Sequence, residues 1–408
     1  MGKNEAPFEV SGKDYISQQK VNIIKANLDY DFENMRYPEI FEQIALGAII
    51  FEGQPATVYW RYEEDENGNT IFDGPMVELI DRWDFYYDPD CTNFRNLHWA
   101  IRRHIFSLKE IKEIAKKYNW NNIEKIKGGS SSDAVGNPEK INKSQQTYDE
   151  QKNVELLECW EMINGRPHLT IIAEQNYELY KGRPYNTLTR LPFVYGTISP
   201  DYMKISGVGL IEPIESLQLE LNSKRNLALD NVKKVLQPDL LVDEEENRRL
   251  QGKKLRTNTD GIIWAKDINN FKPLVTPDVS GASDRQCIMI KNDIQNATGQ
   301  SEYIRGQSVT GNQTAREIEI KAHMGNQRIN YTFAKLSSST TCEIGQLCLE
   351  LNKEFIRTNK SIKILGQNGP IFINLYPHDL DGSYAVSYTH LRAHETPEHL
   401  VCRLLLEK

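Results

Sequence analysis

The sequence predicts an α+β fold, and three observations carry that reading. Two segments alternate apolar and polar residues on either side of an Asn-Gly pair, ATVYWRYEEDENGNTIFDG around Asn67-Gly68 and VELLECWEMINGRPHLTIIAEQNYELY around Asn164-Gly165. Asn-Gly accepts the positive φ of a tight two-residue turn, so each segment reads as a β-hairpin. After Gly207 the pattern changes to three long helix-favouring segments, 210–236, 282–299 and 314–357. Strand-rich and helix-rich stretches that segregate along a chain describe α+β architecture.

Upstream of the first hairpin, residues 13–36 are polar and helix-favouring, and YPEIFEQIALGAII (37–50) predicts a buried helix with small residues at Ala45, Gly47 and Ala48. Ser107 and Glu110 form a capping box that opens an amphipathic helix reaching about Tyr118. The stretch GGSSSDAVGNPEKINKSQQTYDEQK (128–152) has almost no apolar residues and predicts a mobile loop. In the helix 210–236, Pro213 is tolerated in the first turn and Pro238 stops the run.

Three short strand signals follow, PDLLV, GIIWA and FKPLV, separated by a charged turn with Arg248, Arg249, Lys253, Lys254 and Arg256. The helix 282–299 ends at Gly299, and SEYIRGQSVTGNQ (301–313) is a Gly-rich polar loop. Thr314 and Glu317 set a capping box for the last helix, with a bend near Gly325 and an end near Phe355. Two strands flank Gln367-Asn368-Gly369.

The 408 residues carry 49 Lys and Arg against 57 Asp and Glu, a formal charge of −8. An acidic chain makes a poor nonspecific duplex binder, because such binding needs several cations paired to phosphates. Cys91, Cys159, Cys287, Cys342 and Cys348 form no CxxC pair and have no His at ligand spacing, so they read as reduced, mostly buried thiols. MGKNEAPFEVSGKDYISQQK lacks the apolar centre of a signal peptide, and no apolar run approaches the roughly 18 residues of a membrane span.

The chemistry-bearing candidates are few, and no catalytic or cofactor constellation emerges. Asp88 and Asp90 in YYDPDC could ligate a metal in a nuclease, but Asp-Pro-Asp is also an ordinary turn and no third ligand lies nearby. Gly207-Val208-Gly209 lacks the third glycine and the preceding strand of a phosphate cradle, which leaves a loop-to-helix hinge. The cluster Arg248, Arg249, Lys253, Lys254 and Arg256 is offset by Asp243, Glu244, Glu245 and Glu246, which favours a protein-facing turn over a DNA grip. In the 301–313 loop, Arg305 stands almost alone among Tyr303, Gln307, Ser308 and Asn312. There is no GxxxxGK[ST] loop to supply nucleotide hydrolysis.

At the end of the chain, His390, His394, Glu395 and His399 suggest a metal site, yet His394 and His399 are five apart with Pro397 between them. Two His on one helical face need a spacing of about four, and Pro breaks the helix that would align them. The stretch from Val386 to Lys408 instead resembles a translated sequencing-library adapter, in one unbroken frame over about 60 nucleotides. The expectation is therefore a non-native tail, 386–408, behind a reading frame cut near Ala385.

The ordered run GVGLIEPIESLQLELNSKRNLALDNVKKVLQPDLL, NDIQNATGQSEYIRGQ and TAREIEIKAHMGNQRI resembles the portal, or head-to-tail connector, proteins of tailed bacteriophages. VYWRYEEDENGNTIFDGPMVELIDRWDFYYDPD and HDLDGSYAV add to it, so the similarity covers most of Asn4 to Ala385. The resemblance implies a wing from 1–209 and 358–385, with the N-terminal part of the wing and the distal crown missing from what reads as a fragment. It implies stem helices at 210–236 and 282–299, a clip at 237–281, a tunnel loop at 301–313 and a long wing-to-crown helix at 314–357.

On the same ground the chain is expected to be a non-enzymatic homo-oligomer, typically a dodecamer, at the capsid vertex of a virion put together in the host cytoplasm. Its implied partners are the terminase large subunit, head-completion and tail adaptor proteins, major capsid and scaffold proteins, and double-stranded DNA passing through the ring. The clip cations would dock proteins and the tunnel-loop residues would touch DNA. A metal-dependent nuclease and an unrelated capsid scaffold protein are the competing expectations.

Overall fold

The computed structural model describes residues 8–65, 67–127, 153–201, 203–236, 240–242, 271–273, 277–298, 315–366 and 369–388. The chain divides into two compact units, Met1–Leu210 with Ile329–Lys408, and Ile211–Arg328.

The first unit opens with β1 (Phe8–Gly12), α1 (Tyr15–Asn34) and α2 (Tyr37–Ile50). Asp14 starts α1 by accepting from Ser17 N–H at 2.8 Å, which satisfies one of the donors that a helix start leaves open. β2 (Gln54–Glu64) and β3 (Thr70–Leu79) form the first predicted hairpin, with Gly68 at φ 80° in the turn. β9 (Phe193–Gly196) completes the sheet in the order β3-β2-β9.

A five-stranded antiparallel sheet follows, built from β4 (Phe85–Tyr87), β5 (Trp99–Ser107), β6 (Asn153–Ile163), β7 (Arg166–Ala173) and β8 (Tyr177–Gly182) in sequence order. α3 (Leu108–Tyr118) begins at the Ser107–Glu110 capping box, as expected, and buries Ile111 and Ala115. β10 (Ser199–Pro200) and β11 (Gly207–Val208) make a small ladder. The second unit comprises α4 (Glu212–Leu236), the paired β12 (Leu240–Val242) and β13 (Phe271–Pro273), and α5 (Ser280–Thr298).

α6 (Ala315–Phe355) is helical throughout, Gly325 included. β14 (Lys360–Gly366) and β15 (Gly369–Leu375) pair as a hairpin, and β16 (Tyr384–Tyr388) returns to β1.

Two cores hold the first unit. One gathers Phe8, Ile24, Leu28, Phe32 and Ile44 with Val58 of β2, Ile344, Leu347 and Leu351 of α6, and Ile362 and Leu375 of the last hairpin. The other lies on one face of the five-stranded sheet around Val154, Leu156, Trp160, Leu169 and Ile171. Chain segments distant in sequence therefore meet in one interior, which local periodicity cannot report.

Two expectations are corrected by this packing. α2 is not buried all round: Ala45, Gly47 and Ala48 face the core, whereas Leu46 is 57% and Ile50 41% exposed. The last strand does not stop at Ala385. Val10 pairs with Val386 and Phe8 with Tyr388, and Val386 packs onto the first core above Gly345. The alternation of Val386, Ser387 and Tyr388 suits a strand whatever encoded it.

The 128–152 stretch, the GIIWA signal and the caps at Gly299 and Thr314 lie outside the described residues. Among the described residues no helix is long and apolar enough to cross a membrane.

Candidate functional site

The second unit is organised by a seam of side chains at alternating three- and four-residue spacing. Along α4 the half-buried residues are Ile214, Leu217, Leu221, Lys224, Ala228 and Asn231, and every other position from Glu212 to Leu236 is exposed. Along α5 the inward positions are Ser280, Ser283, Cys287, Ile290 and Ile294, and near its end Gln295, Ala297 and Thr298 are half-buried as well. A 3-4 spacing keeps one narrow stripe of each helix on its partner, the geometry of a two-helix coiled-coil seam. Arg225 lies 3.8 Å from Asp284, and Asn231 meets the start of α5, so the two helices run antiparallel.

The hairpin is closed by side chain to backbone bonds. Asn231 Nδ2 donates to the Pro277 carbonyl at 3.1 Å, and its Oδ1 accepts from Val279 N–H at 3.2 Å. Asp278 Oδ1 accepts from Ser280 N–H at 2.9 Å, and the Ser280 side chain and N–H together hold the Asp278 carboxyl below its usual range.

The positions that the seam leaves uncovered include apolar ones. Leu219, Leu227, Leu229, Val232, Val235 and Leu236 of α4 are exposed, and so are Ile288 and Met289 of α5. Scattered exposed apolar residues are ordinary, but among the described residues none of α4 is more than half-buried. Among the described residues this helix pair therefore carries apolar side chains on its flanks as well as along its seam.

The candidate docking residues Arg248, Arg249, Lys253, Lys254 and Arg256 fall between β12 and β13, outside the described residues. The candidate DNA-contact residues Tyr303, Arg305, Gln307, Ser308 and Asn312 fall between α5 and α6, also outside them.

In the first unit, Asp88 is a turn residue. It is 8% exposed, its Oδ1 accepts from Asp90 N–H at 3.0 Å and its Oδ2 meets His98 Nδ1 at 2.9 Å. Both carboxylate oxygens are thus engaged locally while Asp90 points to solvent, the arrangement of an Asx turn rather than of a converging ligand pair. Among the described residues no group of three His, Cys, Asp or Glu side chains could hold a metal ion. The His390, His394, Glu395 and His399 set lies outside them.

Gly207-Val208-Gly209 is no phosphate cradle either. Gly207 N–H donates to the Glu52 carbonyl at 3.0 Å and Leu210 N–H to the Ile49 carbonyl at 2.9 Å, so the donors face the end of α2. A Cβ on Gly209 would stand 2.2 Å from the Phe51 carbonyl oxygen, and this close backbone approach is the reason for glycine there.

A further set of polar residues, missed by reading the sequence, joins α6 to the loops beside the five-stranded sheet. Glu343 pairs with both Arg95 and Arg190, accepting from Arg95 Nε at 2.8 Å. Eleven residues on, Glu354 accepts from Asn186 N–H at 2.8 Å, Thr187 N–H at 3.1 Å and the Thr187 hydroxyl at 2.9 Å. Partial burial raises the Glu354 carboxyl, and these donors more than offset that and hold it below its usual range. The signal available in the sequence was the spacing of Glu343, Glu350 and Glu354, which puts them on one side of a helix.

The thiols of Cys91, Cys159, Cys287, Cys342 and Cys348 are all free, and burial pushes Cys342 up to about 11, as befits packing rather than nucleophilic residues. No curated protein matches the chain. The family model described as the phage SU10 portal protein matches residues 10–390, and the chain accordingly belongs to the portal proteins of tailed phages.

Proposed function

We propose that the chain is one subunit of a closed ring, typically of twelve copies, through which double-stranded DNA enters and leaves a capsid at one vertex. The observation that carries this reading is the α4–α5 hairpin, whose seam is satisfied within the chain while its flanks leave Leu227, Leu229, Val232 and Ile288 exposed. A heterologous contact, one flank of a hairpin against the other flank of the next, closes into a ring when the rotation closes. Burying those side chains between copies removes the apolar surface that a lone subunit would present to water.

The charge balance fits the same role. A conduit has to let a duplex slide, and many strong phosphate pairs would hold it, so a chain of formal charge −8 with sparse lumen cations is suited to passage rather than retention. In this reading residues 237–281 form the clip, and Arg248, Arg249, Lys253, Lys254 and Arg256 dock the terminase large subunit and later the head-completion and tail adaptor proteins. Residues 301–313 form the tunnel loop, where Tyr303, Arg305, Gln307, Ser308 and Asn312 offer weak, repeated contacts to passing phosphates. Capsid and scaffold proteins would surround the wing, and a partner ATPase would supply the energy of translocation.

Electron microscopy of the full-length protein tests the reading. Rings with an axial hole are expected, and particles that pack DNA only when the tunnel loop is intact would separate a conduit from a capsid scaffold.

A further inference from the structure

The first unit buries a polar cluster where α1 meets α6. Asn27 and Asn352 are 0% exposed and Asp31 is 2% exposed. Asn352 Nδ2 donates to Asp31 Oδ2 at 2.7 Å across α6 and α1, and Asn27 Nδ2 reaches the same oxygen at 3.3 Å. The side-chain oxygens of Asn27 and Asn352 find no donor. Buried polar atoms are nearly always satisfied, so two orphan acceptors around one carboxyl group need a physical account.

An ionised Asp31 supplies none. It could only accept, in a cluster already short of donors, and its charge would face two neutral amides. Two other titratable groups face it. Lys360 of β14 acts on it only through its field, because the Lys360 ammonium donates to the Asp73 carbonyl at 3.1 Å and sits 5.4 Å from the centre of the Tyr30 ring. The Cys348 thiol of α6 is held well above its usual range by burial and stays neutral. A proton on Asp31 removes the uncompensated charge and adds one donor, which serves one of the two asparagine oxygens once that amide is turned so that its oxygen faces the acid.

We propose that Asp31 keeps its proton in the folded chain and works as a proton-dependent pin between α1 and α6. Ionisation leaves a buried charge between the two helices and loosens their seam. The environment agrees in direction: burial raises the Asp31 carboxyl to about 7, against smaller lowering effects of Lys360 and Asn352.

The sign of the pH dependence follows. In the unfolded chain the acid ionises near its ordinary value of about 3.9. Between there and about 7 the folded state binds the extra proton, so stability is complete below the lower value, falls as pH rises and levels off above about 7. A span of about three pH units corresponds to roughly a 10³-fold change in the folding equilibrium.

The test is urea unfolding of the full chain and its Asp31→Asn variant from pH 4.5 to 8.5, with Glu350→Gln as control because burial also raises the Glu350 carboxyl. The folding constant of Asp31→Asn relative to the parent should rise by 10²- to 10³-fold across that range, while Glu350→Gln removes only the Glu350 share and keeps the Asp31 part of the parent's loss. A parent-to-Asp31→Asn ratio that does not change with pH overturns the proposal. If Asp31→Asn does not fold, infrared spectra of Glu350→Gln decide: a band of a buried, protonated carboxyl at pH 5.5 that vanishes by pH 8.5 supports the pin. Absence of that band at pH 5.5 refutes it.

Discussion

Asn231 near the end of α4 grips Val279 at the start of α5, its Oδ1 accepting the Val279 N–H at 3.2 Å while its Nδ2 holds the preceding Pro277 carbonyl at 3.1 Å. One amide thereby fixes where the returning helix begins and sets the register of the seam from Ile214 to Asn231 against that from Ser280 to Ile294.

Replacing Asn231 by Ala removes both bonds and should cost about 1 kcal/mol in the hairpin, since partly exposed donors regain water. Hydrogen exchange of the Val279 and Ser280 amides should accelerate while amides on the five-stranded sheet keep their protection. Unchanged exchange at Val279 would show that the amide clamp does not govern this corner.

Glu343 is shared by Arg95 and Arg190, and its side chain and that of Arg190 are only 13% and 15% exposed. Glu343→Ala leaves the Arg190 guanidinium without its carboxylate and should cost about 2 kcal/mol, below the value for a fully buried pair because Arg95 is largely exposed. Arg95→Ala alone should cost well under 1 kcal/mol. Thermal melts of the three chains check the ordering, and equal losses for both variants would contradict it.

Glu354 gives an acid-side dependence. Its carboxyl is held below the ordinary range, so its contribution is complete above the unfolded value and is lost as pH falls through the folded one. Glu354→Gln should lower stability at pH 7 by about 1 kcal/mol after allowance for solvent screening, and the difference from the parent should shrink below the carboxylate range. A difference that stays constant down to pH 3 would mean that the Asn186 and Thr187 donors do not favour the ionised form.

The strand from Tyr384 to Tyr388 separates two deletions. Removing residues 389–408 should leave the melting behaviour within about 0.5 kcal/mol of the parent. Removing 386–408 also takes away Val386, which packs on the core beside Val10 and pairs with it, and should cost about 1–3 kcal/mol. Equal melts for the two deletions would show that the sheet closes at Ala385.

Much of the fold was legible because the signals are local. Asn67-Gly68 and Asn164-Gly165 dictate turns that few other pairs accept, and Ser107 with Glu110 satisfies a helix start within four residues. The joining of β1 to β16, of Asp31 to Asn352 and of Arg190 to Glu343 spans most of the chain, and nothing in the periodicity of either partner reports the other. Leu46 and Ile50 show the same limit from the other side, since a helix rich in apolar residues does not state which of them will meet a neighbour. The seam of α4 was readable as the spacing of Ile214, Leu217, Leu221 and Ala228, whereas the outward Leu227, Leu229 and Val232 acquire meaning only once their exposure is known.

That exposure bears directly on the central claim, that copies of this chain cover one another's α4–α5 flanks in a ring. Native mass spectrometry combined with electron microscopy, applied to the full-length protein and to a Leu227→Glu, Val232→Glu variant, tests it most directly. The account predicts a closed ring of uniform copy number, near twelve, for the parent. It predicts subunits that melt as the parent's first unit does but fail to close for the variant, because charges placed on the flank of α4 cannot be buried between copies. A folded parent that stays monomeric, or a variant that forms the same rings, would contradict it.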